Sequence, residues 1–165
     1  MTSHKTIDSP VGDLTLVLTG DGVLCGLYMR NQRHLPSADR FGESSTVGFD
    51  QVESQLAEYF AGVRTQFDLD LDPAGTDFQR KVWLLLREIP YGETISYAQL
   101  SDRYGDPLAI RAVASANGKN PIGIIVPCHR VIGSDGSLTG YAGGLERKRF
   151  LLDLENPIPA EATLF

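Results

Sequence analysis

Apolar and polar positions alternate over the first thirty residues. Thr6-Ile7, Leu14 to Leu18 and Val23 to Met29 form short runs, separated by Ser9-Pro10-Val11-Gly12 and Gly20-Asp21-Gly22. A period of two sends one side of a strand inward, and the separators carry turn chemistry, so a small antiparallel sheet is predicted. Residues 31–48, with Pro36 and Ser44-Ser45, keep no period and read as a long variable loop. Asp50 with Glu53 then opens a helix whose Val52, Leu56 and Tyr59-Phe60 share a face, ending near Gly62. Phe67-Asp68-Leu69-Asp70-Leu71 alternates strictly and predicts an edge strand, and Asp72-Pro73-Ala74-Gly75 reads as a linker.

Beyond the linker the period changes to that of helices. Thr76-Asp77-Phe78-Gln79 is a capping box, and Phe78, Val82, Leu85, Leu86 and Ile89 follow at helical spacing until Pro90-Tyr91-Gly92. Ser96 and Gln99 cap a second helix ending at Tyr104-Gly105. Asp106-Pro107 places proline at the favoured first position of a third, which runs to Asn117 and stops at Gly118. Two short helices around a glycine turn make a helix-turn-helix, a motif shared by DNA-binding modules and plain structural bundles. The third helix is slim, with Ala109, Ala112, Ala114, Ser115 and Ala116, and Arg111 is its one long charged side chain. Residues 124–132 form an apolar run between Gly123 and Gly133 that reads as a buried strand, broken at Cys128 because Pro127 removes a ladder donor. Ser134-Asp135-Gly136-Ser137 is a turn, residues 138–144 a glycine-rich loop, and residues 145–155 a final helix. The tail from Asn156, with Pro157 and Pro159, is expected to be loosely held. The expected fold is α/β in the α+β sense: an N-terminal α/β domain with an antiparallel sheet over residues 1–72, then a mainly helical domain over residues 73–165.

Composition narrows the function classes. With 165 residues and 42% hydrophobic side chains the chain can bury an ordinary globular core, which excludes a disordered chain. No apolar run approaches the roughly 20 residues that span a bilayer, and no basic segment precedes an early apolar one, so a soluble, cytoplasmic protein of bacterial type is expected. Cys25 and Cys128 do not make a disulfide framework. His4, His34 and His129 without a Cys-x-x-Cys pair do not make a structural zinc site, and no metal is expected. The net charge of -6 argues against a nucleic-acid binder until it is divided along the chain: residues 1–75 hold five basic and eleven acidic side chains, and residues 76–165 hold ten of each. The acid lies outside the helix-turn-helix half, where a local basic face and an ordinary solvated surface are equally compatible with the composition.

The candidate chemistry is Cys128-His129-Arg130 inside its apolar run. A thiol in apolar surroundings has a raised pKa and is inert, so a packed core cysteine is one reading. Burying histidine and arginine beside it is costly unless they are paired, and a basic neighbour is what activates a cysteine, which is the other. Consecutive residues of a strand face opposite ways, so His129 reaches the Cys128 sulfur only through a tight turn or a bridging water. Glu155, an acid at the carboxyl end of a helix where the dipole opposes it, is either a solvated terminus or a partner for His129.

Pro127-Cys128-His129-Arg130-Val131, preceded by Asn120-Pro121 and followed by Gly140-Tyr141-Ala142-Gly143-Gly144, resembles the O6-alkylguanine-DNA alkyltransferases, also called methylated-DNA-protein-cysteine methyltransferases. The resemblance runs without a gap from Thr76 to Glu155. It implies a ribonuclease H-like N-terminal domain and single-turnover transfer of a methyl or larger alkyl group from O6-alkylguanine, and also O4-alkylthymine, to Cys128. The base is first flipped out of the duplex, since its reacting carbon cannot be reached while stacked. His129 takes the thiol proton through a water, Glu155 orients His129, and Tyr97 donates to the departing purine and helps turn its phosphate. Arg111 fills the gap left by the flipped nucleotide. With Arg111, the resemblance puts Ala112, Ser115 and Arg130 among the DNA-binding residues, together with Asn120, which ties the helix-turn-helix to the reactive loop. Val131, Tyr141 and the backbone of Ala142 line the base pocket, and Lys148 helps orient it. No cofactor is implied. The partner is double-stranded DNA and no membrane, and the protein is expected to be a monomer able to bind DNA cooperatively.

Three positions depart from the family's usual pattern: Ile110 for a common alanine, Ala114 for a common glycine, and Ala142 for a serine in some members. Two other classes are in play: a non-catalytic damage-binding relative would keep this fold but replace the cysteine, so Cys128 speaks against it, and a Cys-His hydrolase would turn over repeatedly on an acyl substrate.

Overall fold

The structure is a computed structural model in which residues 1–157 are described; the tail expected to be loosely held lies, from residue 158, outside them. The period-two runs form β1 (Ser3–Ile7), β2 (Leu14–Leu18) and β3 (Leu24–Met29), antiparallel neighbours in a sheet of order β3-β2-β1-β4. The fourth strand, β4 (Glu43–Ser44), runs parallel to β1, and a single 3-10 turn precedes it at Ala38–Phe41. Both lie in the stretch expected to be irregular. Two residues paired on a strand edge are too short to leave a period in the sequence.

Helix α1 (Asp50–Phe60) covers the sheet with Val52, Gln55, Leu56 and Tyr59, one face at helical spacing. Its entry differs from expectation: Phe49 is the cap and is fully buried, so a packed ring anchors the start and Asp50 lies inside the helix. The edge strand expected at residues 67–71 is absent but for a single bridge from Leu71 to Leu24. Its backbone groups are taken up by a side chain. The amide of Gln55 donates to the Asp68 carbonyl at 3.0 Å, and its oxygen accepts from the Asp68 N–H at 2.9 Å. Phe67, Leu69 and Leu71 still pack on the core, which explains the alternation without a ladder.

Helix α2 (Asp77–Leu86) begins with the expected capping box, both hydrogen bonds of which are present between Thr76 and Gln79. Ile89 lies just past its end, buried in the core. Trp83 on α2 donates from its indole N–H to the Ala116 carbonyl at 2.8 Å, and a Cβ on Gly75 would stand 2.4 Å from its ring. The linker therefore needs glycine where it passes the tryptophan.

Strand β5 (Ile95–Ser96) leads into α3 (Tyr97–Tyr104), again with both capping-box bonds formed, and Gly105 closes it in the left-handed conformation at φ 103°. The third helix of the sequence reading starts later than Pro107: α4 spans Ile110–Gly118. The carboxylate of Asp106 accepts from the Leu108 N–H at 3.0 Å and its carbonyl from the Ala109 N–H at 3.0 Å. Asp106 thus folds the chain into a turn instead of capping a helix.

The apolar run predicted as a strand is the largest departure. Between Asn120 and Pro127 the chain makes successive turns, residues Cys128–Arg130 form one 3-10 turn, and only β6 (Val131–Ile132) is extended, parallel to β5. Ile124 has φ 69°, a conformation that β-branched residues rarely adopt and that sequence periodicity does not report. The turns are held against the free edge of the sheet: the Leu27 N–H of β3 donates to the Pro121 carbonyl at 2.9 Å, and the Gly123 N–H donates to the Leu27 carbonyl at 3.2 Å.

Helix α5 (Leu145–Glu155) turns Lys148, Leu151 and Glu155 inward on one face. A single apolar cluster joins the two halves, drawing on Leu16 and Leu27 of the sheet, Leu56 of α1, Leu86 of α2, Val113 of α4 and Leu151 of α5. Arg147 adds polar ties across the same seam, donating to the Val11 carbonyl at 3.0 Å and the Arg30 carbonyl at 2.7 Å.

Candidate active site

Cys128 opens the 3-10 turn that separates the packed turns from β6. Its N–H donates to the Val126 carbonyl at 2.8 Å and its carbonyl accepts from the Asn117 amide of α4 at 3.5 Å. Asn120 holds the approach: its amide donates to the Val126 carbonyl at 2.8 Å, and its oxygen accepts from the Ile122 N–H at 3.0 Å. The turn that carries the thiol is thereby fixed to the end of the helix-turn-helix. Burial pushes the Cys128 pKa up, against the pull of the Asn120 amide and the Lys148 ammonium, so the resting group is a thiol that needs a base.

The 3-10 turn directs His129 and Arg130 inward to Glu155 at the end of α5. His129 Nε2 lies 2.7 Å from Glu155 Oε2; Arg130 Nε donates to Oε1 at 2.7 Å and Nη2 to Oε2 at 3.1 Å. Arg130 also donates to the Ile89 carbonyl at 2.7 Å. Burial alone would raise the Glu155 pKa, but the hydrogen bonds and charge of His129 and Arg130 outweigh it and hold it at about 2. A permanent carboxylate fixes the tautomer: Nε2 carries the proton, leaving Nδ1 as the basic nitrogen. Among the described residues that buried atom has no hydrogen-bond partner. Burial lowers the His129 pKa despite Glu155, so the imidazole is neutral and able to accept a proton.

Tyr97, Asn117, Tyr141 and Ala142 line a cavity of about 600 Å³, which also touches Ala114 and Ser115 of α4. Lys148 holds its far wall from beneath, with Nζ donating to the carbonyls of Val131 at 2.6 Å and Thr139 at 2.9 Å. The Tyr97 hydroxyl donates to the Thr139 and Gly140 carbonyls at 3.0 and 3.2 Å. Arg111, Ala112 and Ser115 lie exposed on the outer face of α4, while Val113, Ala116 and Asn117 face the core. A slim helix with one projecting cation thus borders the cavity, and Asn117, which lines it, bonds the carbonyl of the buried Cys128.

Two family models divide this chain between them. The 6-O-methylguanine DNA methyltransferase ribonuclease-like domain matches residues 3–73, and the DNA-binding domain of the same methyltransferases matches residues 77–157. The chain belongs to the 6-O-methylguanine DNA methyltransferase family. Its relatives include the methylated-DNA–protein-cysteine methyltransferase of Mycobacterium tuberculosis, 53% identical over 100% of this chain and 99% of the relative. That of Methanosarcina acetivorans is 47% identical over 92% and 97%. Among solved structures, Mycobacterium tuberculosis O6-methylguanine methyltransferase superposes with a TM-score of 0.87 at 53% identity, covering 100% of this chain and 99% of that one. A crystal structure of Mycobacterium tuberculosis OGT in complex with DNA gives the same TM-score and identity over 93% and 92%.

Within this family member, several sequence expectations need correction. Arg130 is not on the DNA-binding surface: it is 7% exposed and spent on Glu155, the pairing that makes its burial affordable. Asn120 is buried as well, and its bonds to the reactive loop are those of the tie named for it from the resemblance, with no exposed group left for DNA. Val131 is fully buried in the core and supports the pocket through its carbonyl; Lys148, also fully buried, braces the wall without lining the cavity. Cys25 and Cys128 are both free thiols. Sequence reasoning missed Asn117, which holds the Cys128 carbonyl, and Arg33 and His34, which bring the N-terminal half to the cavity rim. The Arg33 N–H donates to the Ala142 carbonyl at 2.8 Å. A hint existed in the slim α4, whose polar Asn117 sits on the apolar face; nothing in the irregular loop pointed to Arg33.

Proposed function

We propose that this protein repairs O6-alkylated guanine, and O4-alkylated thymine, in duplex DNA by transferring the alkyl group irreversibly to Cys128. Membership of the family supports the reaction class, and the observation that carries the residue assignment is the buried Cys128 turn, which bears the His129–Glu155 pair and is bonded to Asn117 of the cavity lining. The damaged nucleotide leaves the stack and enters the cavity between Tyr97 and Tyr141. His129 Nδ1 takes the Cys128 proton through one water, and Glu155 stabilises the imidazolium. The thiolate attacks the alkyl carbon; the S–C bond forms as the C–O6 bond breaks, and its electron pair passes into the purine. A proton returned to the guanine, with the Tyr97 hydroxyl turned from the loop carbonyls to the base, completes the balance. Arg111 occupies the gap in the duplex.

A thioether is a poor leaving group, and this mechanism contains no step that cleaves it, so each chain acts once, as a monomer on its DNA. The test is the number of methyl groups released from excess O6-methylguanine duplex per chain. One per chain, then none, is the expected result. Continued removal beyond one methyl per chain would contradict irreversible transfer to Cys128, binding without removal would point to a damage sensor, and neither binding nor removal would leave a hydrolase or an unrelated helix-turn-helix role.

A further inference from the structure

We propose that Tyr59, on α1 of the N-terminal half, is a positioning residue of the proton relay: its hydroxyl fixes the Glu155 carboxylate and sets how readily His129 accepts a proton. The inference rests on the relay proposed above and concerns a residue 96 positions away from Glu155 in the chain. The Tyr59 hydroxyl donates to Glu155 Oε2 at 2.6 Å. Oε2 is also the oxygen that meets His129 at 2.7 Å and Arg130 Nη2 at 3.1 Å, so three donors converge on the atom that orients the imidazole. The Tyr59 side chain is fully buried and its ring is wedged among Phe60, Phe67 and Tyr91, with centroids 5.3, 5.4 and 6.3 Å away.

Packing alone does not call for the hydroxyl. A phenylalanine would fill the same space, as Phe60 does beside it, and a buried phenol is costly unless it has a partner. Glu155 is that partner. Its hydrogen bond draws charge from Oε2, so the carboxylate pulls less strongly on the Nε2 proton. The other groups that act on the His129–Glu155 pair among the described residues are Arg130 on the 3-10 turn, Lys148 on α5, Tyr91 after α2 and Tyr141 of the glycine-rich loop. Arg130 holds both carboxylate oxygens through its charge, whereas Tyr59 adds a neutral donor to the His129-bearing oxygen alone. Removing it should make Glu155 more basic, stabilise the imidazolium, and loosen the orientation of the ring.

Tyr59→Phe keeps the ring and removes only the donor. Single-turnover transfer from O6-methylguanine duplex should slow by roughly threefold to tenfold on the pH plateau, the scale of one modest hydrogen bond. The acid limb of the rate–pH profile should move upward by about half a pH unit. Nitrogen-15 shifts of the His129 ring, assigned with His129→Gln, should report the same upward move without depending on activity. A variant whose melting temperature falls while its acid limb and His129 titration match the wild type would overturn the inference and leave Tyr59 a packing residue. If the wild type transfers nothing, or Cys128→Ser still transfers, the relay itself falls; if the wild type transfers and Cys128→Ser does not, unmoved Tyr59→Phe readouts remove this inference alone.

Discussion

Glu155 is the residue on which the site's electrostatics turn. It stands at the carboxyl end of α5, where the helix dipole opposes a negative charge, and is tolerated because His129, Arg130 and Tyr59 all converge on it. Its pKa of about 2 lies below that of an unfolded glutamate, so it contributes stability that is fully present above pH 4.5 and is lost as pH falls toward 2. The expected contribution is about 3 kcal/mol. Urea denaturation between pH 6 and pH 2 should show a steeper acid loss for the wild type than for Glu155→Gln. Equal slopes would remove the charge network from the account.

Lys148 makes the opposite case. Burial depresses its pKa to about 8, so above that pH it loses the ammonium that holds the Val131 and Thr139 carbonyls, while in the unfolded chain it stays protonated to about pH 10. Stability from this group therefore rises with pH across that interval. Lys148→Met leaves two carbonyls unpaired and should cost about 2 kcal/mol in urea denaturation and slow transfer, since the cavity wall they belong to is then unbraced. Neither network was visible beforehand in full. The sequence pointed to Cys128, His129 and Glu155 through residue type and resemblance, yet Arg130 was assigned to DNA because its partner lies 25 residues on. Tyr59 read only as one face of an amphipathic helix.

At the scale of elements, what could be read followed local chemistry. The capping boxes at Thr76 and Ser96 located two helices because their hydrogen bonds are made within four residues. What could not be read depended on distant partners or unusual backbone. Gln55 replaces a strand at Asp68, Asp106 turns the chain where Pro107 suggested a helix, and Ile124 bends a run that periodicity makes a strand. The α4 surface carries the next expectation. Arg111 projects from its outer face and makes no hydrogen bond or ion pair to another residue among the described residues. Arg111→Ala should therefore slow transfer from duplex DNA at least tenfold more than from free O6-methylguanine base, in parallel second-order rate measurements. Equal slowing of both would remove its role in holding the duplex open.

At the scale of the whole molecule, the two halves matched by separate family models share one core. The turns before Cys128 hang from β3, the cavity rim is tied to Ala142 through Arg33, and Tyr59 reaches Glu155. Division at residues 72 and 73 follows composition and the helix period, whereas the stabilising contacts cross it. Calorimetry should give one unfolding transition for the full chain, with calorimetric and van't Hoff enthalpies in agreement. A fragment of residues 73–165 should lack a cooperative transition, because Leu27 and Leu56 no longer cover Ile122 and Leu86. Two resolved transitions would make the halves independent. The uneven charge fits the same picture: acid is concentrated in the half that carries the sheet, away from α4.

Whether Cys128 accepts the alkyl group is decided by intact and peptide mass spectrometry after incubation with an O6-methylguanine duplex. The expected result is one methyl group per chain, located on the Cys128 peptide and absent from Cys128→Ser. A methyl group on Cys25 or elsewhere, or repaired DNA with an unmodified protein, would contradict it.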